Sequence, residues 1–324
     1  MTMQVPIISG FGPQTTAKEI LANRDLTGKI AIVTGGYSGV GLETTRALAN
    51  AGATVVVPAR TSDKARSAVE GITNVELEEL DLMYPQSIDS FASRFLASNR
   101  PLHILINCAG VMSPWLRKDA RGYESMFATN HLGHFQLTAR LWPALEMAHG
   151  ARVVAVSSLS HHNGRVVFDD PNFERREFDM LQAYGQSKSA ISLFAIELDK
   201  RGEKCDVRAF AVHPGVILET GLGRDLRGDS NPNAAKENSQ SSAPELDPIQ
   251  FKNAEQGAAT GVWCATSDQL DGMGGVYCVD CDIANAVPPD SSSTTGVRPW
   301  AIDPELAQRL WALSEELIGI KFEI

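Results

Sequence analysis

Residues 30–41 read IAIVTGGYSGVG, and the fold follows from this stretch. Ile30, Ala31, Ile32 and Val33 form a short apolar run suited to a strand buried on both faces. The run breaks into a turn carrying Gly35, Gly36, Gly39 and Gly41. LETTRALANAG follows, with Leu42, Ala47 and Leu48 at helical spacing and Gly52 just past the end. Strand, glycine turn and helix predict a phosphate-binding unit. The glycines let the backbone approach a pyrophosphate, and the helix N-terminus presents free N–H groups. The spacing is G-x-x-x-G-x-G after Thr34, neither G-x-G-x-x-G nor a P-loop, since no G-K-[ST] follows. Taken alone it also reads as an ordinary strand-to-helix turn, so the rest of the chain decides.

Outward from this unit the rhythm repeats. Strands are expected at 53–60, 75–82, 102–110, 152–158, 206–215 and 274–280. Helices are expected at about 62–70, at 87–98, where Ile88, Phe91, Phe95 and Leu96 share a face, and at about 122–147 with Asn130 inside. Alternating strands and helices, with strands apolar on both faces, predict an α/β doubly wound parallel sheet of seven strands, a Rossmann arrangement with ligands at the carboxyl ends of its strands. The 324 residues read as a single domain. Residues 1–28 form an N-terminal extension, with Thr16 and Glu19 at capping-box spacing. Residues 224–250 are polar and read as a mobile substrate loop. Residues 159–183 and 284–302 are further insertions. Asp303-Pro304 opens a C-terminal helix over 303–320, with Leu306, Leu310, Leu313 and Leu317 on one face.

Apolar residues make up 43% and charged residues 21%, as in an ordinary globular protein, while a net charge of −10 argues against nucleic acid or an anionic membrane surface as partner. No stretch approaches the roughly 20 apolar residues that span a bilayer, and MTMQVPIISGFG does not read as a signal peptide. Five cysteines, Cys108, Cys205, Cys264, Cys278 and Cys281, form an odd, sparse set that fits a reducing cytoplasm. Cys278-Val-Asp-Cys281 is a lone C-x-x-C on a strand-like run and reads as packing, with no metal site expected. His161 and His162 read as loop or rim residues, and His131 and His134 as packing residues of the long helix.

Chemistry concentrates at Tyr184-Gly-Gln-Ser-Lys188. In a helix, residues four apart share a face, so phenol and ammonium project into one place. A fixed positive charge lowers a phenol's pKa from about 10 and makes it a proton donor and acceptor near neutrality. Ser158 ends the fifth strand, and Asn107-Cys-Ala-Gly110 ends the fourth. Cofactor choice is read at Pro58-Ala59-Arg60, the end of the second strand. An NAD site places Asp or Glu there. Arg60 instead suits a 2′-phosphate, with Ser38 and Lys64 near in sequence.

Together these motifs resemble the short-chain dehydrogenase/reductase family, most strongly over residues 28–222. Thr34–Gly41 resembles its T-G-x-x-x-G-x-G, Asn107–Gly110 its N-A-G segment with a cysteine inserted, and Pro214-Gly215 its P-G turn. SSLSHHNGRVVFDD, GGVYCVDC and RLWALSEELIG resemble the retinol dehydrogenase-like branch that includes the WW-domain-containing oxidoreductase, although no WW domain or membrane anchor is read here. The resemblance implies a catalytic tetrad of Asn130, Ser158, Tyr184 and Lys188. It implies NADP(H) held by Gly35, Ser38, Gly39, Val40, Arg60, Asp81, Leu82, Asn107, Ala109, Gly110, Tyr184, Lys188, Pro214, Gly215, Ile217 and Thr220. Glu219 stands where the family often has Ser or Thr, and Thr220 comes one residue later. Ser158 would bond the substrate oxygen, Tyr184 would move the proton, Lys188 would hold the nicotinamide ribose, and Asn130 would keep a helix irregularity and a water. The implied activity is hydride transfer between a nicotinamide and a small apolar carbonyl or alcohol, with Met112, Trp115 and Leu116 candidates for an apolar mouth. A retinoid- or steroid-directed dehydrogenase and a non-catalytic NADP(H) sensor are the alternatives. A homodimer or homotetramer through helices flanking the sheet is a further expectation from the resemblance.

Overall fold

The computed structural model describes residues 2–218, 221–222 and 250–324. The expected loop at 224–250 and the contact expected of Thr220 therefore lie, but for Gln250, outside the described residues. β1 (Ile30–Val33) sits centrally, paired in parallel with β2 (Thr54–Ala59) and β4 (Ile104–Asn107). β3 (Val75–Glu79), β5 (Ala151–Val156), β6 (Val207–His213), β7 (Val276–Val279) and β8 (Asp282–Ile283) complete the order β3-β2-β1-β4-β5-β6-β7-β8. The chain moves one way from β1 to β3 and the other way from β4 onward, so the switch point, and a crevice, lie between β1 and β4.

Strand alternation divides the core. Ile32, Val56, Leu105 and Val153 face one side, under α4 (Pro85–Ala97), α5 (Gly133–Glu146) and α6 (Met180–Gly202). Ala31, Val33, Val57 and Ile106 face the other, under α1 (Ala17–Ile20), α2 (Gly39–Asn50) and α7 (Ala254–Thr266). α3 (Ser62–Val69) joins β2 to β3. α8 (Pro304–Ile318) packs on α6, with Trp311 stacked on Phe322 at 4.8 Å and edge-on to Phe135 at 4.9 Å.

Four expectations need correction. The sheet has eight strands, not seven, and the eighth is antiparallel: Asp280 (φ 53°) and Cys281 (φ 60°) make a two-residue hairpin turn with both central residues left-handed. The C-x-x-C therefore spans a hairpin. The long helix is regular only from Gly133. Before it, Phe127–Leu132 is a π turn, and Gly122 (φ +90°) breaks the chain ahead of that. The buried stripe of α8 is Ala307, Leu310, Trp311 and Ser314, because the large Trp311 turns the helix toward the aromatic cluster. α7 has no counterpart among the expected helices. It is buried on every side, so no amphipathic period marks it, though Asn253 and Gln256 form a capping box.

The N-terminal arm is bound to the sheet's last edge. The Gln4 side-chain amide donates to the carbonyls of Tyr277 and Ala284, both at 2.7 Å, and accepts from the Tyr277 N–H at 2.9 Å. The Asp282 carboxylate accepts the N–H groups of Ile7, Ile8 and Ser9 at 2.8, 3.0 and 3.2 Å, which holds Ile8 at φ 60°. A β-branched residue rarely adopts that conformation unless neighbours impose it. Asp282→Ala should therefore lower stability by about 1–3 kcal/mol, with Asp282→Asn losing less. An unchanged urea midpoint in Asp282→Ala would show that the arm adds nothing.

Candidate active site

A cleft of about 1060 Å³ opens at the carboxyl ends of the strands. The β1–α2 turn forms one wall. Gly35 (φ +68°) and Gly39 (φ +52°) take left-handed conformations, and a Cβ on Gly41 would lie 2.4 Å from the Gly35 carbonyl oxygen. Ser38 is the N-cap of α2 but makes no capping bond with its side chain. Arg60, Thr61 and Lys64 line the far end of the cleft, and Asp81 and Leu82 the side beyond β3. Arg60 is exposed and has no hydrogen-bond or ion-pair partner among the described residues.

Tyr184 and Lys188 come from α6, begun by Asp179, whose carboxylate accepts the Gln182 N–H at 2.7 Å. Both side chains are buried in the cleft wall, and the Lys188 ammonium lies 5.4 Å from the Tyr184 ring centroid. The ammonium donates to the Val156 carbonyl at 2.9 Å. Burial pushes Lys188 down to about 8. The expected lowering of the Tyr184 pKa does not appear in this arrangement. Burial dominates and pushes the phenol well up, opposed by the Ser158 hydroxyl. Tyr184 therefore keeps its proton at neutral pH.

The hydroxyl of Ser158 accepts the Ser160 N–H at 3.1 Å and donates to the Ser160 hydroxyl at 3.2 Å. Its neighbour Ser157 is engaged differently, donating to the Lys188 carbonyl at 2.8 Å and accepting from Ser192 at 2.9 Å. Of the two adjacent serines, Ser158 is the one whose hydroxyl opposes the rise of the Tyr184 pKa.

The structure brings most sequence-predicted residues together in this cleft. Gly35, Ser38, Gly39, Val40, Arg60, Asp81, Leu82, Ala109, Gly110, Ser158, Tyr184, Lys188, Pro214, Gly215 and Ile217 all line it. Asn107 does not. It ends β4 with its side chain turned toward α5, donating to the Thr138 hydroxyl at 3.2 Å. Asn130 also stands behind the wall, in the π turn. It accepts the Val111 N–H at 2.8 Å and donates to the Val111 carbonyl and the Ser187 hydroxyl at 3.0 and 3.1 Å. Met112 lines the cleft, whereas Trp115 and Leu116 are exposed outside its lining.

Sequence reasoning missed the contribution of the 284–302 insertion, which places Ser293 and Arg298 in the cleft wall. Arg298 donates to the carbonyls of Pro288 and Ser291, each at 2.6 Å, and shapes that loop. No local pattern signals this, because the loop lies far along the chain from Ser158. His161, expected at a rim, is fully buried. Its Nδ1 lies 2.8 Å from the Ser158 carbonyl oxygen, and its Nε2 accepts the Arg298 N–H at 3.1 Å.

A short chain dehydrogenase family model matches residues 29–231. A probable oxidoreductase of Streptomyces lividans is 41% identical over 301 residues, covering 91% of this chain and 99% of its own length. Retinol dehydrogenase 12 of Homo sapiens is 38% identical over 307 residues, covering 93% and 90%. The WW domain-containing oxidoreductase of Pongo abelii is 36% identical, covering 95% of this chain and 72% of its own. A solved structure of a putative uncharacterized protein from Mycobacterium Paratuberculosis superposes with a TM-score of 0.73 at 31% identity, covering 96% of this chain and 100% of that one. The glycine turn, the Y-x-x-x-K helix and the switch-point crevice thus belong to one inherited design, and this chain is an oxidoreductase of the short-chain dehydrogenase family, on the branch of retinol dehydrogenase 12 and the WW domain-containing oxidoreductase.

Proposed function

We propose that the protein interconverts a ketone or aldehyde and an alcohol using NADP(H), with Tyr184 as the acid–base group. The convergence of Tyr184, Lys188 and Ser158 on one wall of the cleft carries this reading. The cleft fits the dinucleotide in its chemistry. Gly35 and Gly39 open the turn to a pyrophosphate, the Ser38 hydroxyl is uncommitted to capping, and Arg60 and Lys64 supply positive charge where a 2′-phosphate would lie. When bound, the nicotinamide supplies or takes the hydride.

The chain's own residues would handle the oxygen and the proton. Ser160 N–H holds the Ser158 oxygen, and the Ser158 proton, now given to the Ser160 hydroxyl, would turn from it toward a substrate carbonyl. Tyr184, kept protonated by burial, donates as negative charge develops on that oxygen. Lys188, still mostly charged at pH 7, reduces the cost of the phenolate left behind. Val111, Met112, Leu159 and Val216 give the substrate end an apolar lining. Together with the similarity to retinol dehydrogenase 12, that lining supports an extended apolar alcohol or aldehyde, such as a retinoid or steroid, as a second reading of substrate class.

No described helix is long and apolar enough to cross a membrane, and all five cysteines are free thiols, which supports placement in a reducing cytoplasm. α6 is covered by this chain's own α8, so we place a homodimer or homotetramer interface on another face.

Turnover of a ketone panel followed by NADPH absorbance tests the activity, and no turnover of any carbonyl or alcohol would remove it. NADPH should be preferred over NADH by more than about tenfold in kcat/KM, and Arg60→Asp should erase or invert that preference. Equal use of both cofactors by the wild type would overturn the assignment of Arg60.

A further inference from the structure

His134 sits in the first turn of α5, 2% exposed, with both ring nitrogens engaged. Nδ1 lies 2.8 Å from the Asn130 carbonyl oxygen, and Nε2 lies 2.9 Å from the Thr34 hydroxyl oxygen. A carbonyl only accepts, so Nδ1 carries the hydrogen. In a neutral imidazole Nε2 is then an acceptor, and the Thr34 hydroxyl donates to it. The same hydroxyl oxygen accepts the Cys108 and Ala109 N–H groups at 2.9 and 3.0 Å. Hydrogen bonds therefore run in one direction, from the Cys108 and Ala109 amides through Thr34 and the His134 ring to the Asn130 carbonyl.

This series joins three segments that meet at the cleft. Thr34 opens the glycine turn, and Cys108–Ala109 follow β4. Asn130 lies in the π turn, where its side chain clamps Val111 and Ser187, the residue before Lys188. Protonating or removing the ring breaks the series at its centre, because the Thr34 proton would then be left with the Ile106 carbonyl at 3.3 Å and no longer tie the turn to the ring. Buried bonds of this kind fix neighbouring segments to within a fraction of an ångström, a displacement that matters for reacting groups.

We infer that His134 is a positioning residue that registers the cofactor-binding turn against the Asn130–Tyr184–Lys188 apparatus. The inference rests on the proposed NADP(H)-dependent activity. Two near-isosteric replacements separate its two bonds. Asn at 134 presents an amide donor near the Nδ1 position and keeps the bond to Asn130. Gln presents an acceptor near the Nε2 position and keeps the bond to Thr34. His134→Gln should retain NADPH affinity within about twofold while kcat falls about tenfold. His134→Asn should weaken NADPH binding about fivefold or more with a smaller change in kcat. His134→Phe, which fills the space without either bond, should lose both.

NADPH binding is read by titration of the folded protein and kcat with a ketone at saturating NADPH. If His134→Phe fails to fold, the Gln and Asn variants together with Thr34→Val carry the test, and Thr34→Val should weaken NADPH binding as His134→Asn does. Proportional losses of affinity and kcat in both the Gln and Asn variants would reduce His134 to a packing residue, and so would wild-type values in both. A wild type that binds no NADPH would instead overturn the cofactor assignment, a result visible before any variant is made.

Discussion

Tyr184→Phe should lower turnover by about 10²-fold or more while leaving the fold and NADPH affinity nearly unchanged. The phenol ring packs against Met126, Phe173 and Ala183, and phenylalanine keeps that packing. Only the hydroxyl is lost, and with it the proton donor facing Ser158. Ser158→Ala should also lower turnover and spare NADPH affinity, because its proposed partner is the substrate oxygen. Lys188→Ala should reduce both, and it also strands the Val156 carbonyl. A folded Tyr184→Phe protein that binds NADPH and turns over at near the wild-type rate would falsify the mechanism. Full activity in Ser158→Ala would direct attention to Ser160, since Ser157 is held by Lys188 and Ser192.

Acidification should destabilise the protein steeply, well before its carboxylates titrate. Burial holds His131, His161 and His213 down to about 3 and His134 to about 4. An unfolded histidine titrates near 6.5. Below that value the unfolded chain binds protons that the native state refuses. Stability is therefore complete above pH ~6.5 and falls continuously as the pH drops toward 4, where the native imidazoles begin to charge. Each fully uncoupled histidine contributes about 1.4 kcal/mol per pH unit in that window. Four of them at pH 5 amount to several kcal/mol, a large share of the ~5–15 kcal/mol that holds a typical native state together. The urea midpoint at pH 5 should lie well below that at pH 7.5. A midpoint constant between those values would show that the imidazoles are not held neutral.

The parts of this molecule legible from sequence are those whose partners lie within one turn or one strand end. Tyr184 and Lys188 share a helical face through their spacing, and Arg60 declares its position by ending a short apolar strand. The motif carries no information on which way a strand's last side chain points, and β4 turns that of Asn107 away from the cleft to Thr138. α7 was invisible because burial all around erases periodicity. Arg298 and its bond to His161 were invisible because they join the 159–163 turn to a loop more than a hundred residues away, which only the tertiary fold brings near. The Tyr184 pKa illustrates a different limit. Spacing shows that a cation is near, but the burial that sets the direction of the shift, opposed by the Ser158 hydroxyl, depends on the whole fold.

The binding of Gln4 to β7 has a consequence for how this protein behaves in concentrated solution. β8 is only two residues long; the Ala284 N–H still reaches the Tyr277 carbonyl at 2.9 Å, but the Tyr277 N–H would be left open were it not for one side-chain amide acting as a surrogate strand. Open strand edges recruit other chains by the same hydrogen bonds. A Gln4→Ala protein, or one shortened past Ile8, should remain folded at low concentration yet self-associate as concentration rises. Such self-association would make Gln4 a guard against polymerisation, placed in a segment that lies outside the cleft lining.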